Sequence, residues 1–303
     1  LSGNQGLDLT VSLDLGIELG NEWQGLRGEI AWIFTAEYFP PQPLTPVGPN
    51  PPALDKGDHY AYIIGKSDGL VHPEADITRA EVATIFFRML TEESREEYWS
   101  QTNPYHDVRP DIWYNNAVST LTRAGIVKGK PGNLFAPQDS ITRGEFAAMA
   151  VRFFGGETDG TDHFTDIAGH WANHEINLAY ARDLIRGYPD GTFRPDQPIT
   201  RAEAMVIVNR VLERYPHREH LLPDMITWPD NLDTSAWYYA DVQEATNSHA
   251  FSMSRDAESQ PYEVWTALRP VRDWAALERV WSDSHGGGNP GEVVSSRDNA
   301  QFR

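Results

Sequence analysis

Apolar and polar residues alternate along the first part of the chain. The alternation runs through residues 9–19 and returns at Ile30, Trp32 and Phe34, which predicts two half-buried strands. Two strands cannot close a hydrophobic core by themselves. Residues 1–39 are therefore predicted to be the last strands of a β-sandwich-like domain whose other strands lie upstream.

Further along, the spacing of the apolar residues becomes helical. Tyr114, Val118 and Leu121 predict a first helix, and a second helix is predicted to begin at Thr142 with Phe146 on its buried face. Each unit of this part has the pattern helix, loop, helix. The predicted fold class is therefore mainly α, preceded by the partial β-domain.

The helical part contains an internal repeat. Trp113, Gly129 and the Ile-Thr-Arg sequence at 141–143 recur 58 positions later, and the glycine and Ile-Thr-Arg also occur 64 positions earlier. The earliest copy lacks the tryptophan helix, whereas Trp237 belongs to a half-repeat that lacks the rest of the unit. We expect these two halves to complete each other and to close three units into a ring.

These patterns give the domain boundaries. A proline-rich linker (40–54) separates the β-strands from the repeats. The predicted segments after it are repeat 1 (55–103, its first helix supplied by 228–249), repeat 2 (104–160), repeat 3 (161–222), a closing half-repeat (223–254), a short packing segment (255–284) with helical spacing at Trp274, Leu277 and Trp281, and a disordered tail (285–303).

The composition restricts the possible ligands. The formal net charge of −19, from 44 acidic and 25 basic residues, repels nucleic acids and anionic membranes, so an anionic ligand needs a local basic site. The chain has no cysteine, which excludes disulfides and thiolate metal sites. No apolar run is long enough to span a bilayer.

The sequence Ile-Thr-Arg-Ala-Glu, with glycine for alanine in the middle copy, has the pattern of a helix capping box. A threonine at the N-cap accepts from the first helical turn, and a glutamate three residues later accepts from the N–H of the cap. The predicted pairs are Thr78 with Glu81, Thr142 with Glu145, and Thr200 with Glu203.

An arginine occupies the first turn of each of these helices, where the helix dipole disfavours a cation. Arg79, Arg143 and Arg201 beside free N–H groups would raise the positive potential, as in an anion-binding site. Alternatively, each arginine pairs with a nearby carboxylate. The residues alone leave both interpretations open.

Together, the motifs resemble the S-layer homology family. The most complete copy begins at Phe164-Thr165-Asp166, continues through Trp171 and the loop Gly-Tyr-Pro-Asp-Gly-Thr-Phe-Arg-Pro at 187–195, and ends with Ile-Thr-Arg-Ala-Glu at 199–203. The resemblance covers residues 57–250. It implies a three-pronged spindle around a central helix bundle, in an extracellular, non-catalytic cell-wall anchor of a Gram-positive surface protein that needs no cofactor.

The implied ligand is an acidic secondary cell-wall polysaccharide, often ending in a pyruvylated sugar, bound in grooves between repeats. The resemblance implies that Arg79, Arg143 and Arg201 contact the acidic sugar. Three further sets of residues are candidates for these grooves. They are the tryptophans Trp113, Trp171 and Trp237, the aspartates Asp107, Asp166 and Asp230, and the glycines Gly65, Gly129 and Gly187.

Each further set also has a structural alternative. The tryptophans could stack on a sugar or belong to the core, and the aspartates could accept from sugar hydroxyls or cap the following helix. The glycines permit an unusual backbone angle or a close approach of ligand. Lys66 and Lys130 lie in the two loops that lack Tyr-Pro-Asp-Gly, so they either add positive potential or mark degenerate grooves.

Three other functions compete with anchoring. The chain lacks a nucleophile elbow, a P-loop and a His-Glu-x-x-His sequence, so we expect any catalysis to reside upstream. The loop at 190–196 lacks the spacing of calcium ligands, so no metal site is predicted. Self-assembly into a lattice, or a protein-interaction scaffold, stays open, with Tyr238, Tyr239 and Trp265 as candidate exposed aromatic residues.

Overall fold

The computed structural model describes residues 51–286, which all belong to one compact unit, Pro43–Arg303. The predicted β-domain at 1–39, most of the linker and most of the tail lie outside the described residues. The described part is mainly helical, as predicted, with one small two-stranded sheet. Within it, no helix combines the length and apolar character needed to cross a membrane.

Within residues 51–286, eight α-helices and two strands follow one another, with a short 3₁₀ helix at Arg218–His220. The helices are α1 (Arg79–Arg88), α2 (Glu92–Tyr98), α3 (Asn115–Arg123), α4 (Arg143–Val151), α5 (Asn173–Ala181), α6 (Arg201–Val211), α7 (Tyr239–Thr246) and α8 (Trp274–Ser284). The strands β1 (His249–Arg255) and β2 (Pro261–Leu268) form an antiparallel hairpin between α7 and α8.

Local sequence explains where the main helices begin and end. The capping boxes predicted at Thr78, Thr142 and Thr200 are all formed at the starts of α1, α4 and α6. Gly125, with a φ of 74°, follows the end of α3 in the left-handed conformation that commonly terminates helices. The repeat pattern therefore places these helices correctly.

Three isoleucines form the centre of the ring. Ile141 N donates to Ile77 O (3.0 Å), Ile199 N donates to Ile141 O (3.0 Å), and Ile77 N donates to Ile199 O (3.3 Å). All three side chains are fully buried. Because each repeat donates to one neighbour and accepts from the other, the three capping-box segments are joined in a closed cycle.

The closing half-repeat packs against the start of repeat 1. Tyr62 N and Ile63 N both donate to Ala245 O of α7, as Ile126 N and Val127 N of repeat 2 donate to a carbonyl near the end of α3. Helix α7 contacts α6 in the way that α3 contacts α1 and α5 contacts α4. Thus α7 has for repeat 1 the position that α3 has for repeat 2.

The hairpin of β1 and β2 was not predicted. The segment 255–284 was expected to be a short packing segment, but only α8, at the predicted Trp274 spacing, matches that description. Trp274 is buried and its indole N–H donates to Ala61 O (2.9 Å). The hairpin and α8 therefore cover the junction where the ring closes.

This junction gives a pH-dependent prediction at Asp241, on α7. Burial raises the pKa of this carboxyl from 3.8 to about 6, although Asn209 Nδ2, 3.0 Å from its Oδ1, opposes the rise. The folded state holds the proton of Asp241 more tightly than the unfolded state does. The contribution of this group to stability is therefore greatest below pH 4 and is lost as the pH rises to about 6.

Asp241→Asn is therefore expected to raise the free energy of unfolding at pH 7 by about 1–3 kcal/mol. At pH 4 the variant and the wild type should be nearly equally stable. Urea denaturation of both proteins between pH 4 and 7 measures the difference. A difference that does not change with pH would show that Asp241 does not titrate as described.

Candidate functional site

Each motif arginine is buried in an ion pair with the next repeat. Arg79 Nη1 lies 3.0 Å from Glu145 Oε1, and Arg201 Nη1 lies 3.1 Å from Glu81 Oε1. Arg143 pairs in the same way with Glu203. Only 3–6% of each arginine is exposed. Of the two interpretations open at the sequence level, the structure therefore contains the internal ion pair.

The glutamates of the capping boxes have two functions at once. Glu81 Oε2 accepts from the N–H of Thr78 (2.8 Å), while Oε1 of the same carboxylate pairs with Arg201. Glu145 divides its oxygens in the same way between Thr142 and Arg79. Because one side chain caps its own helix and binds the neighbouring repeat, the motif holds the ring together.

The helix N-termini are not open anion sites. The N–H groups of Arg143 and Gly144 donate to the carbonyls of Gln197 and Pro195 in the next loop, at 2.9 and 2.8 Å. The first two N–H groups of α1 and α6 are occupied by loop carbonyls in the same way. The hypothesis that free N–H groups beside the arginines bind an anion is therefore wrong, since these donors are satisfied internally.

Each of the three aspartates binds a loop through hydrogen bonds from two backbone N–H groups. Asp166 accepts from the N–H groups of Phe193 (2.8 Å) and Arg194 (2.7 Å). Asp107 and Asp230 bind their loops through two N–H groups each. The interpretation as caps is wrong, because Tyr114, Ala172 and Tyr238 are the N-caps of α3, α5 and α7.

The repeat glycines make room for an aromatic ring of the protein itself. A Cβ on Gly187 would lie 2.3 Å from Phe164, and a Cβ on Gly65 would lie 2.1 Å from Trp228. Gly129 meets Tyr105 in the same way. None of these three glycines has a positive φ, so the predicted unusual backbone angle is wrong.

The three tryptophans differ in exposure. Trp113 is half-buried and packs against the core, whereas Trp171 and Trp237 are each 60% exposed. By contrast, Trp265 and Tyr239, which were expected to offer exposed aromatic surface, are buried. Among the described residues, the two most exposed tryptophans therefore lie just before α5 and α7.

One cavity brings several candidates together. A cavity of about 330 Å³ is lined by Gly65, Lys66 and Trp113 together with the Arg201–Glu81 ion pair. We call these residues groove 1. They come from three different repeats, and Ser67 and Thr84 add hydroxyl groups to the wall. Groove 1 thus combines an aromatic ring, cations and hydroxyl groups in one concave surface.

The two related positions carry the same ion pair with different neighbours. Lys130 Nζ lies 2.8 Å from Asp139 and 3.8 Å from Glu145, beside the pair made by Arg79. The third position has Tyr188 instead of lysine, with its hydroxyl 3.4 Å from Glu203 and its ring 4.9 Å from the guanidinium of Arg143. The side chain beside the pair is therefore a lysine at two positions and a tyrosine at the third.

The loop at 190–196, which lacks the spacing of calcium ligands, forms a tight turn. Asp190 Oδ1 accepts from the N–H and the hydroxyl of Thr192, and Oδ2 pairs with Arg194 (2.9 Å). The hydroxyl of Thr192 and the guanidinium of Arg194 lower the pKa of Asp190 to about 2. These contacts use the carboxylate fully, which supports the interpretation as a turn.

Comparison with known proteins agrees with this geometry. Residues 104–147 and 163–205 match the S-layer homology domain. Over 229 residues, 70% of this chain, the sequence is 34% identical to cell surface glycoprotein 1 of Acetivibrio thermocellus, covering 10% of that protein. It is also 34% identical over 208 residues to a cellulosome-anchoring protein of the same organism, covering 67% of this chain and 45% of the relative.

An enzyme is among the relatives as well. The chain is 32% identical over 158 residues, half of its length, to an amylopullulanase of Thermoanaerobacterium thermosulfurigenes, of which this covers 8%. The chain thus spans less than half the length of these relatives, which include a surface glycoprotein, an anchoring protein and an enzyme. Residues 104–147 and 163–205 are S-layer homology domains, and the chain is an extracellular module of the bacterial cell surface.

Proposed function

We propose that residues 55–254 form a three-pronged spindle that anchors a surface protein to the cell wall without covalent attachment. The ligand is an acidic, pyruvylated secondary cell-wall polysaccharide held in the grooves between repeats. The observation that carries this proposal is groove 1, which joins Lys66, Trp113 and Arg201 around one cavity. The module itself has no catalytic role.

The size and chemistry of groove 1 suit a sugar with a carboxylate. Its volume of about 330 Å³ lies at the lower end of the range typical of small-ligand sites. A tryptophan face can pack on a pyranose ring, and hydroxyl and amide groups can bind sugar hydroxyls. A carboxylate needs a cation in so acidic a chain, and Lys66 and Arg201 supply it here.

Groove 1 is also the position where the motif arginine retains a donor. At the other positions, Nη2 donates to a backbone carbonyl, from Arg79 to Lys128 O (3.1 Å) and from Arg143 to Arg186 O (3.3 Å). Among the described residues, the bonds of Arg201 use Nε, with Val71 O, and Nη1, with Glu81. We therefore assign the strongest acidic-sugar binding to groove 1.

The test compares two lysines in equivalent loops. Lys66→Gln should weaken binding of the polymer by about 10-fold, because it removes a charged hydrogen-bond donor from groove 1. Lys130→Gln is the matched control and should have a smaller effect, because Lys130 does not line groove 1. Titration calorimetry with purified wall polymer gives both affinities.

Two other results would contradict the assignment. If both variants bind like wild type, the lysines do not contribute and the loops are degenerate. If the polymer does not bind to wild type while the protein sediments as concentration-dependent oligomers, the repeats act in self-assembly or as a protein-interaction scaffold. Equal helical content, measured by circular dichroism, confirms that the variants are folded.

A further inference from the structure

Four potential metal ligands meet outside the grooves, at the junction where the ring closes. They are His59 at the start of repeat 1, Glu244 on α7, His249 at the start of β1, and Glu263 on β2. At most 1% of each residue is exposed. One ligand atom from each lies within 4.8 Å of all the others.

Four of the five separations between these residues lie near the edge length of a metal coordination tetrahedron, and Glu244 contributes a different oxygen to each histidine. For Zn–N bonds of about 2.0–2.1 Å, tetrahedral geometry places neighbouring ligand atoms about 3.3–3.4 Å apart. His59 Nδ1 lies 3.3 Å from His249 Nε2, 3.1 Å from Glu244 Oε1 and 3.3 Å from Glu263 Oε2. His249 Nε2 lies 3.2 Å from Glu244 Oε2 and 3.7 Å from Glu263 Oε2.

Hydrogen bonds alone do not account for these contacts. His249 Nδ1 lies 3.0 Å from the carbonyl of Asn247, which can only accept, so Nδ1 carries the proton of the neutral ring. The lone pair of Nε2 then faces the oxygens of Glu244 and Glu263. Oε2 of each glutamate is buried and has no hydrogen-bond partner. A proton on His59 Nδ1, a second proton on His249 or a cation between these atoms would each supply a partner to these oxygens.

The local charge also favours a cation. Two buried carboxylates face one buried arginine, Arg214, whose Nη1 lies 3.4 Å from Glu244 Oε1. With both histidines neutral, one negative charge stays uncompensated in a region without solvent, which is costly. A divalent ion would change the sum from −1 to +1, so its advantage is that it coordinates the carboxylate oxygens that lack partners.

We propose that His59, Glu244, His249 and Glu263 bind one Zn²⁺ ion. Two imidazoles and two carboxylates suit a borderline metal such as zinc, and four protein ligands without solvent access are typical of a structural rather than a catalytic site.

The surrounding contacts orient the four ligands. The His249 ring stacks on Trp265 and the His59 ring stacks on Phe251, each with 3.8 Å between centroids. Outer hydrogen bonds complete the arrangement, since Asn247 O accepts from His249 Nδ1 and Tyr215 N donates to Glu263 Oε1 (2.6 Å). Such outer contacts are the usual support of metal ligands.

The ion would stabilise the contacts that close the ring of three repeats. His249 N donates to His59 O (3.0 Å), so the metal site lies beside a bridge between the start of repeat 1 and the hairpin. Glu244 adds the closing helix α7 to the same centre. Zinc would therefore stabilise the contact between the two halves of the divided repeat.

The test refolds the whole 303-residue chain from guanidinium with either Zn²⁺ or EDTA, because a buried site exchanges its metal only on unfolding. We expect about one zinc per chain by mass spectrometry after desalting. At free zinc about 100-fold above Kd, linkage should raise Tm by roughly 5–10 °C relative to EDTA. Co²⁺ in place of zinc should give the intense visible absorption of a four-coordinate site.

Two variants locate the site. Glu263→Gln should lose most of the bound zinc and most of the difference in Tm between zinc and EDTA. His72→Gln, which removes a half-exposed histidine paired with Asp68 at 2.7 Å, should keep both. If Glu263→Gln does not fold, the zinc content and the Tm difference of the wild-type chain still test the proposal.

Wild type that refolds with no bound zinc and has the same Tm in zinc and EDTA overturns the proposal. In that case a protonated His249 balances the cluster. Burial lowers the pKa of His249, but the carboxylates of Glu244 and Glu263 beside it raise it overall to about 9. Stability would then fall as the pH rises from about 6.5 to 9, independently of zinc.

Discussion

Replacing Arg143 by alanine is expected to lower the free energy of unfolding by about 3–5 kcal/mol, because it removes one partner of a buried ion pair. The guanidinium bonds Glu203, the carbonyl of Phe193 (2.8 Å) and the carbonyl of Arg186 (3.3 Å). All of these acceptors would lose a donor. Urea denaturation at pH 7 measures the loss.

Two further variants make this result specific. Arg186→Ala removes an arginine from the same region whose side chain is 70% exposed, and it should change stability by about 0.5 kcal/mol or less. Arg143→Lys keeps the charge but not the planar set of donors, so we expect an intermediate loss. A loss below about 1 kcal/mol for Arg143→Ala would contradict the structural function of the ion pair.

Loss of binding in variants of the motif arginines does not by itself identify the binding site. A triple replacement of Arg79, Arg143 and Arg201 by alanine would damage the contacts that join the three repeats, and loss of binding would then follow from loss of structure. Variants at exposed or half-buried groove residues, such as Lys66 and Trp171, separate the two effects.

Gly187→Ala is expected to destabilise the fold by about 3 kcal/mol or more, as overpacking of a tight site does at its upper range. The new methyl group would lie 2.3 Å from the Phe164 ring and 2.7 Å from the carbonyl of Thr192. Backbone cannot move as easily as a side chain, so the contact with Thr192 cannot be relieved without shifting the loop.

The control is Gly57→Ala, where the nearest atom lies 3.8 Å from the new methyl group and φ is not in the left-handed region. That variant should be neutral or slightly more stable. Combining Gly187→Ala with Phe164→Leu should cost less than the sum of the single changes, since one of the two clashes is reduced. A Gly187→Ala protein as stable as wild type would refute the packing described here.

The repeat architecture was largely accessible from the sequence because its signals are local. A capping box spans four residues and a helix start needs only a threonine, a glutamate and an apolar stripe, as at Thr200 and Glu203. The pairing of the two half-repeats was accessible too, since Trp237 and its neighbours have the pattern of the first helix that repeat 1 lacks.

The remaining features depend on contacts between distant residues. Loop carbonyls such as Gln197 O occupy the helix N-terminus of another repeat, and no local pattern reveals that. The buried cluster of two histidines and two glutamates is even harder to predict from sequence. Its members His59 and His249 are separated by 190 positions, and no spacing typical of metal ligands marks the set. The prediction of no metal site rested on local motifs alone.

Several roles of the motif residues are now distinguished. The repeat aspartates and glycines hold the loops in shape through backbone hydrogen bonds and close packing. They are Asp107, Asp166, Asp230, Gly65, Gly129 and Gly187. Of these six residues, Gly65 lines groove 1. Lys66, Trp113 and Arg201 line the cavity itself and are the residues proposed to bind the sugar.

Co-sedimentation of the purified protein with isolated cell-wall sacculi tests the anchoring function most directly. Sacculi that retain their secondary polymer should pellet the wild-type protein, whereas sacculi stripped of that polymer should leave it in solution, and free polymer should compete. Binding that is equal on intact and stripped sacculi, or absent from both, would contradict the account.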